Sequence, residues 1–399
     1  MTGYLVTRPE PGNRMRIAIF SETYWPMVSG VATTLRRLVD ELHARGHQVR
    51  VYSATYDLPE GVPDRPEVHR SPSKSFFISP QIQWAFPRPG EILADLSRFQ
   101  PDVVHLATEF AMGYPGLRAA RALDLPIVCS AHTDYERYAG RYGKWLETMV
   151  RPGWTYLRWF YGHAHKVLCP SRVYEAHLHR RGIRHTGIWS RGVDAEEFSP
   201  AWRSEAWRSQ FGVGPDDPLV AYVGRVAPEK NLPLLLQAWE RLRGTRGRAQ
   251  LVIVGEGIME DTLRRHRMAG VHLVGFLHGP ELSRAYASSD IFAFPSTTET
   301  FGNVLLEAMS SGCAPVVAEA GGVLDFTAHE QNALHTRPES AASFAEQLGR
   351  LVRDAALRHE LSRNARRTAE LRDWASIYDQ LEHDYRLAIL AHGGVARAA

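Results

Sequence analysis

From Met15 onward the chain alternates short apolar runs with amphipathic helical segments, and it does so in two separate series. RIAIF is strand-like, TLRRLVDELHARG has the apolar spacing of a helix closed by Gly46, and QVRVYSA is a second strand, so the opening unit is βαβ. The series continues through DVVHLA (102–107), a helix around GLRAARALD, PIVCSAH (126–132), an aromatic helical stretch over 144–164, and KVLCPS (166–171). After a Gly/Pro-rich region over 187–218 a second series begins: PLVAYVG, LPLLLQAWERLRG, AQLVIVG, VHLVGF, ELSRAYASS, DIFAFPS, then a helix ending at Gly312 before APVVAE. Parallel strands joined by crossover helices must be covered on both faces, so each series predicts a doubly wound α/β domain. In such sheets ligands lie beyond the carboxyl ends of the strands, and function is to be sought in the loops there.

At 399 residues the chain exceeds what one hydrophobic core organises. The pattern predicts a disordered leader over 1–13, an N-terminal Rossmann-like domain over 14–190 and a C-terminal one over 191–372. A closing helix over 373–391 is expected to pack back toward the first domain, and 335–390 reads as helical and free of strands. No apolar run approaches the roughly 18 residues needed to cross a bilayer. Three scattered cysteines, Cys129, Cys169 and Cys313, argue against a disulfide framework and a zinc site, and point to a reducing cytoplasm. MTGYLVTRPEPGNR lacks the apolar core of a signal peptide. Net charge is +3, with 25 Lys+Arg against 20 Asp+Glu in residues 1–199 and 22 against 24 thereafter. That excess is too small for a nucleic-acid footprint. A basic first half suits an anionic membrane surface, or is simply a mildly basic solvated one.

Three loops carry chemistry. PMVSGVATTL (26–35) follows the first strand and opens a helix, so amides from Gly30 to Ala32 face the cleft, where a helix N-terminus favours an anion. The dinucleotide fingerprint GxGxxG is absent, and a tight turn is the alternative reading. AYVGRVAPEKN (221–231) leaves its strand at Gly224 and offers Arg225 and Lys230, a pair suited to a diphosphate; surface charges, with Glu229 as a local partner of Lys230, are the alternative. TTETFGNVLLEAM (297–309) holds Glu299 in a loop and Glu307 one turn inside the following helix. In a single helix their eight-residue separation would be about 12 Å along the axis and about 80° around it, too far to share an atom. Each suits one end of an elongated ligand, with amides of Phe301, Gly302 and Asn303 between them; a nucleotide diphosphate sugar has that shape. His132, at the end of PIVCSAH, faces the cleft as a site residue or packs as a structural histidine, and Asp134 follows two residues on.

Glu299-x7-Glu307 with FGN, VGRVAPEKN, SGV after the first strand, RGVD (191–194), VGEG (254–257) and SSGCAPVVA together resemble the retaining GT-B glycosyltransferases of family 4. SETYWPMVSGVATTL, HTDYERYAGRYG and TETFGNVLLEAM are similar to the branch of GDP-mannose-dependent α-mannosyltransferases and sulfoquinovosyl-diacylglycerol synthases. The resemblance spans roughly residues 15–385 and implies two Rossmann-like domains facing a central cleft. It implies that Glu307 holds the ribose and that Arg225 and Lys230 neutralise the diphosphate. Glu299 with the amides of Phe301 to Asn303 would hold the sugar, Gly30 would approach the diphosphate, and the base would lie near Val254, Gly255, Glu256 and Phe276. His132 would touch the sugar or acceptor through its carbonyl, and Asp134 would orient the acceptor hydroxyl. Transfer is expected without cofactor or metal and with retention, the departing phosphate oxygen taking the acceptor proton.

The acceptor side has two aromatic and basic stretches. SKSFFISPQIQWAFPRPG (73–90) places Lys74 and Arg88 among Phe76, Phe77, Ile82, Trp84 and Phe86; WLETMVRPGWTYLRWFYG (145–162) carries Arg151 and Arg158. They either meet lipid headgroups or pack on the first sheet. The preferred expectation is a peripheral enzyme of the cytoplasmic membrane face moving α-mannose from GDP-mannose to a lipid or glycolipid. A UDP-sugar-dependent transferase acting on diacylglycerol or a soluble saccharide is the alternative. An epimerase or phosphorylase shares such a fold, while a non-catalytic binding protein would be expected to have lost Glu299, Lys230 or Arg225.

Overall fold

The computed structural model of the chain describes residues 14–27, 29–76, 79–136, 148–265 and 268–396; the leader 1–13 and Phe77 lie outside them. The first half is built on β1 (Arg16–Ser21), β2 (Gln48–Ala54) and β3 (Val68–Ser71), then β6 (Val103–Leu106), β7 (Ile127–Ser130), β8 (Lys166–Cys169) and β9 (Thr186–Ile188). All pair in parallel, in the order β3-β2-β1-β6-β7-β8-β9. Between them β4 (Ser73–Phe76) and β5 (Ser79–Ala85) form a separate antiparallel hairpin. The second half repeats the architecture with β10 (Leu219–Val223), β11 (Gln250–Val254), β12 (Val271–Gly275), β13 (Ile291–Phe294), β14 (Ala314–Ala318) and β15 (Leu334–Thr336), in the parallel order β12-β11-β10-β13-β14-β15. LVAYV of β10 and APVVA of β14 are buried on both faces, which is why they read as unbroken apolar runs.

The two doubly wound sheets are those expected, but the polar edges are not. β3 (VHRS), β9 (TGI) and β15 (LHT) are too short and too polar to show a strand period, and β15 corrects the strand-free reading of the segment that starts at 335. Likewise β7 ends at Ser130, so His132 lies in the loop beyond it.

The last helix, Trp374–Ala396, crosses back to the first half. Its Tyr378, Leu381, Tyr385 and Ala388 share a core with Ile17 and Ile19 of β1, Val103 of β6 and Val128 of β7. Charges fasten the same helix: Arg45 bonds Asp379 and Glu382 at 2.5 and 2.9 Å, and buried Asp384 accepts from Lys166 at 2.6 Å. No helix among the described residues is long and apolar enough to cross a membrane. Cys129, Cys169 and Cys313 are buried free thiols.

Asp384→Ala leaves Lys166 without its carboxylate on a face that is largely buried. The expected cost is about 1.5–3 kcal/mol, read as a lower urea midpoint; an unchanged midpoint would show that apolar packing alone holds the helix.

Candidate active site

Strand order in the second sheet reverses between β10 and β13, so the loops after these two strands flank the crevice. The loop after β10 carries Arg225 and Lys230, and the loop after β13 carries Glu299. Lys230 Nζ lies 2.5 Å from Glu299 Oε1, which also accepts from Ser296 Oγ at 2.9 Å. Burial pushes the Glu299 carboxyl up, but Lys230, Ser296 and Arg225 outweigh it and hold the group below the usual glutamate range. Arg225 Nη2 lies 2.7 Å from Glu229 Oε1, a fully buried carboxylate. The acidic partner of Lys230 is therefore Glu299 across the crevice, and Glu229 serves Arg225.

Glu307 lies in the helix Asn303–Ser310, as its position in the motif predicts. Tyr286 Oη donates to its Oε2 at 2.9 Å, and no ion pair reaches it among the described residues. Burial pushes its carboxyl up to about 7, with Glu197 adding to the rise and Tyr286 and Arg37 opposing it. The two carboxyls of one motif are thus shifted in opposite directions because only one has a cation beside it.

The helix Gly30–Ala44 of the first half points its N-terminus at the same place. Ser29 Oγ accepts the amide of Ala32 at 3.1 Å, so of the three amides expected to face the cleft one is capped internally. A Cβ built on Gly30 would lie 3.8 Å from Asn303 Nδ2, so the first turns of two helices from opposite halves abut. Thr300 joins the halves directly: its Oγ1 donates to the His132 carbonyl at 2.8 Å, and its own carbonyl accepts from Ser171 Oγ at 2.6 Å. His132, Glu299, Lys230, Arg225, Gly30, Asn303 and the Glu307 helix are therefore brought to one crevice.

Other expected residues serve it only through the backbone or lie apart. Val254 is buried in the core, its carbonyl accepting from the Gly224 amide at 3.0 Å. Gly255 has φ 132° and packs so tightly that a Cβ would fall 2.0 Å from the Gly224 oxygen, so only glycine fits. Glu256 and Phe276 are exposed at the crevice rim, with the Phe276 amide 3.4 Å from Glu256 Oε1. Phe301 is core, 5.0 Å from the Phe326 ring, and Gly302 has φ 104° where the loop turns into its helix. Asp134 is buried and its charge is felt by Tyr174 and His177. Lys74 faces Trp84 across the hairpin, both exposed, and Phe76 ends β4. Arg151 and Arg158 are exposed on the helix Val150–Tyr161, whose Trp154, Leu157 and Phe160 pack inward. Half of that aromatic stretch is thus core, and Trp159 faces out.

Four parts of the site are given no role in the sequence reading. Gly321 and Gly322 brace the Glu299 loop, the Gly322 amide donating to the Glu299 carbonyl at 2.8 Å. The paired glycines, separated from the end of β14 by two residues, are the signal that marks them. Asp325 accepts the amides of Arg172 and Val173, tying a helix N-terminus of the first half to the second. Glu22 and Glu109, after β1 and β6 at the first sheet's own reversal, are buried; burial foremost and Glu109 next push the Glu22 carboxyl up to about 7. Arg191 bonds the His132 ring.

A model described as Glycosyltransferase Family 4 matches residues 28–197, and one described as Glycosyl transferases group 1 matches 203–368. The GDP-mannose-dependent alpha-mannosyltransferase of Mycobacterium tuberculosis (strain CDC 1551 / Oshkosh) is 34% identical, over 93% of this chain and 96% of that one. The sulfoquinovosyl transferase SQD2 of Arabidopsis thaliana is 32% identical, over 94% of this chain and 74% of that one. The solved sucrose-phosphate synthase from Thermosynechococcus elongatus shares the two-domain fold with TM-score 0.78 at 20% identity, over 95% and 100% of the two chains.

A Cβ at Gly322 would sit 2.0 Å from the Thr300 oxygen, backbone against backbone, whereas one at Gly244 meets nothing within 4 Å. Gly322→Ala is expected to cost about 1–3 kcal/mol and several degrees of melting temperature, with Gly244→Ala as the silent control. Equal melting curves for the two would remove the bracing role.

Proposed function

Because this chain belongs to the GT-B glycosyltransferases of family 4, we propose that it moves α-mannose from GDP-mannose, with retention, to a lipid or glycolipid at the cytoplasmic face of a membrane. The observation that carries the reading is the meeting of two helix N-termini, at Gly30 and Asn303, beside the Lys230–Glu299 pair. Two sets of outward amides converge there with a lysine and an arginine, a fixed field for the charge that a diphosphate gains as it leaves. Those donors neutralise the leaving group, so the transfer is proposed to need neither metal nor cofactor. Glu299 takes the sugar hydroxyls, Glu307 the ribose, and the rim at Glu256 and Phe276 the base. The departing phosphate oxygen accepts the acceptor proton on the face it has just left.

The donor choice is supported by the 34% identical relative, a GDP-mannose-dependent alpha-mannosyltransferase. For the acceptor, Trp84, Phe86, Tyr114 and Trp159 are exposed on the first half, with Lys74, Arg151 and Arg158 exposed nearby in sequence, a composition suited to a headgroup zone.

Glu299→Ala is expected to lower kcat about a hundred- to a thousandfold while GDP affinity stays within a few-fold; unchanged kcat would sink the assignment. Melting-point shifts with GDP-mannose and not with UDP sugars are expected, and the reverse would replace the donor. A carboxylate at Glu307 is needed to accept two ribose hydroxyls, yet its folded pKa lies near 7, so nucleotide binding must release its proton. Affinity for GDP should therefore rise with pH to a plateau above 7 and fall by up to about tenfold per unit below it. Glu307→Gln should flatten that slope, and a slope that persists in the variant would assign it to another group.

A further inference from the structure

The imidazole of His132 is held on both sides. Arg191 Nη2 lies 2.9 Å from Nδ1. A guanidinium only donates, so Nδ1 carries the lone pair and the proton of the neutral ring sits on Nε2, 2.8 Å from Ser130 Oγ. Ser130 Oγ is 2.8 Å from His105 Nε2, and His105 Nδ1 is 2.7 Å from Tyr385 Oη on the last helix. Arg191 is 4% exposed, its Nη1 donates to the carbonyls of Trp189 and Ser190, and its Cζ lies 4.5 Å from the Trp189 ring centroid. Among the described residues no carboxylate pairs with it. A buried cation without a counter-ion is costly, and bonds to two carbonyls do not require a charge.

We propose that Arg191 is the positioning residue for His132: it locks the ring in the Nε2–H tautomer and so fixes the loop whose carbonyl meets Thr300 beside the sugar site. Both ring nitrogens are then occupied, and His132 serves as a fixed wall and carbonyl donor of negative charge rather than as a base. The charged and titratable groups around the ring agree. Burial, then Arg191, then His105 hold its titration well below the ordinary histidine value, and burial brings His105 itself down to about 3. Tyr385 closes the far end from the last helix, Asp134 follows on the same loop, and Glu299 across the crevice is engaged by Lys230.

The kinetic arm of the test rests on the transferase reading and the spectroscopic arm does not. In 15N-histidine-labelled full-length protein, with His132→Gln for assignment, long-range 1H–15N spectra should show His132 as Nε2–H and unprotonated down to pH 5. In Arg191→Gln the ring should lose its single tautomer and titrate closer to about 6.5. With GDP-mannose, Arg191→Gln should lose about ten- to a hundredfold in kcat, the range for removing an orienting partner, with donor KM within about twofold. Its kcat at saturating donor should also gain an acid limb between pH 5 and 7 that the parent's kcat lacks, and Arg191→Lys should restore most of kcat. An Nδ1–H tautomer in the parent, or Arg191→Gln with an unaltered tautomer and pH profile, overturns the proposal. If Arg191→Gln does not fold, Ser130→Ala decides: a retained Nε2–H tautomer supports Arg191 as the lock, and a mixed one overturns it. Spectra as expected from a protein that transfers no sugar would uphold the lock and refute only the transferase reading.

Discussion

Parallel strands leave every carboxyl-end loop on the same edge of a sheet, and where the strand order reverses the crossovers depart to opposite faces and open a crevice between them. This chain has two such reversals, between β1 and β6 and between β10 and β13. The geometry decides which residues can meet. Lys230 and Glu299 are 69 positions apart in sequence yet 2.5 Å apart in space, because their loops leave neighbouring strands on either side of one reversal. Residues at the carboxyl end of another strand of the same sheet, such as Val254 and Gly255, come near the crevice only through their backbone.

Charge inside the crevice is arranged in local pairs. Arg225 has Glu229 and Lys230 has Glu299, so each of the two cations has its own carboxylate. Glu307 has a tyrosine hydroxyl in place of a cation, and burial then controls its proton. A single loop–helix motif thus places one carboxyl held below the usual glutamate range and one pushed above it. What separates them is the partner each finds, since both are buried glutamates.

The architecture was largely legible because fully buried parallel strands leave long apolar runs, and RIAIF, PLVAYVG and APVVAE announce themselves without tertiary information. So were Arg225, Lys230, Glu299 and Glu307, since a motif inside a strand–loop–helix unit keeps its local geometry. Edge strands such as TGI and LHT were illegible, as three residues cannot show a period. Equally hidden were the choices made by long-range contact. Whether Lys230 pairs with Glu229 or Glu299, whether Phe301 faces ligand or Phe326, and which helical aromatics turn outward depend on what the other loops and sheets bring into reach. Arg191 stood in a quoted motif, but its use required the fold to carry His132 to it across 59 positions.

The last helix makes the two halves interdependent beyond their shared crevice. His132 belongs to the first half, yet later parts of the chain hold its loop from both ends: Thr300 of the second half grips its carbonyl in the crevice, and Tyr385 of the last helix reaches its ring through His105 and Ser130 from behind. These two attachments differ in kind. Tyr385 lies in a packed core with β1, β6 and β7, whereas Thr300 lies on the opposing loop of the second sheet. A site assembled from two domains needs at least one wall that does not reorganise when they part, because reorganisation at the moment of reaction is what preorganised electrostatics avoids.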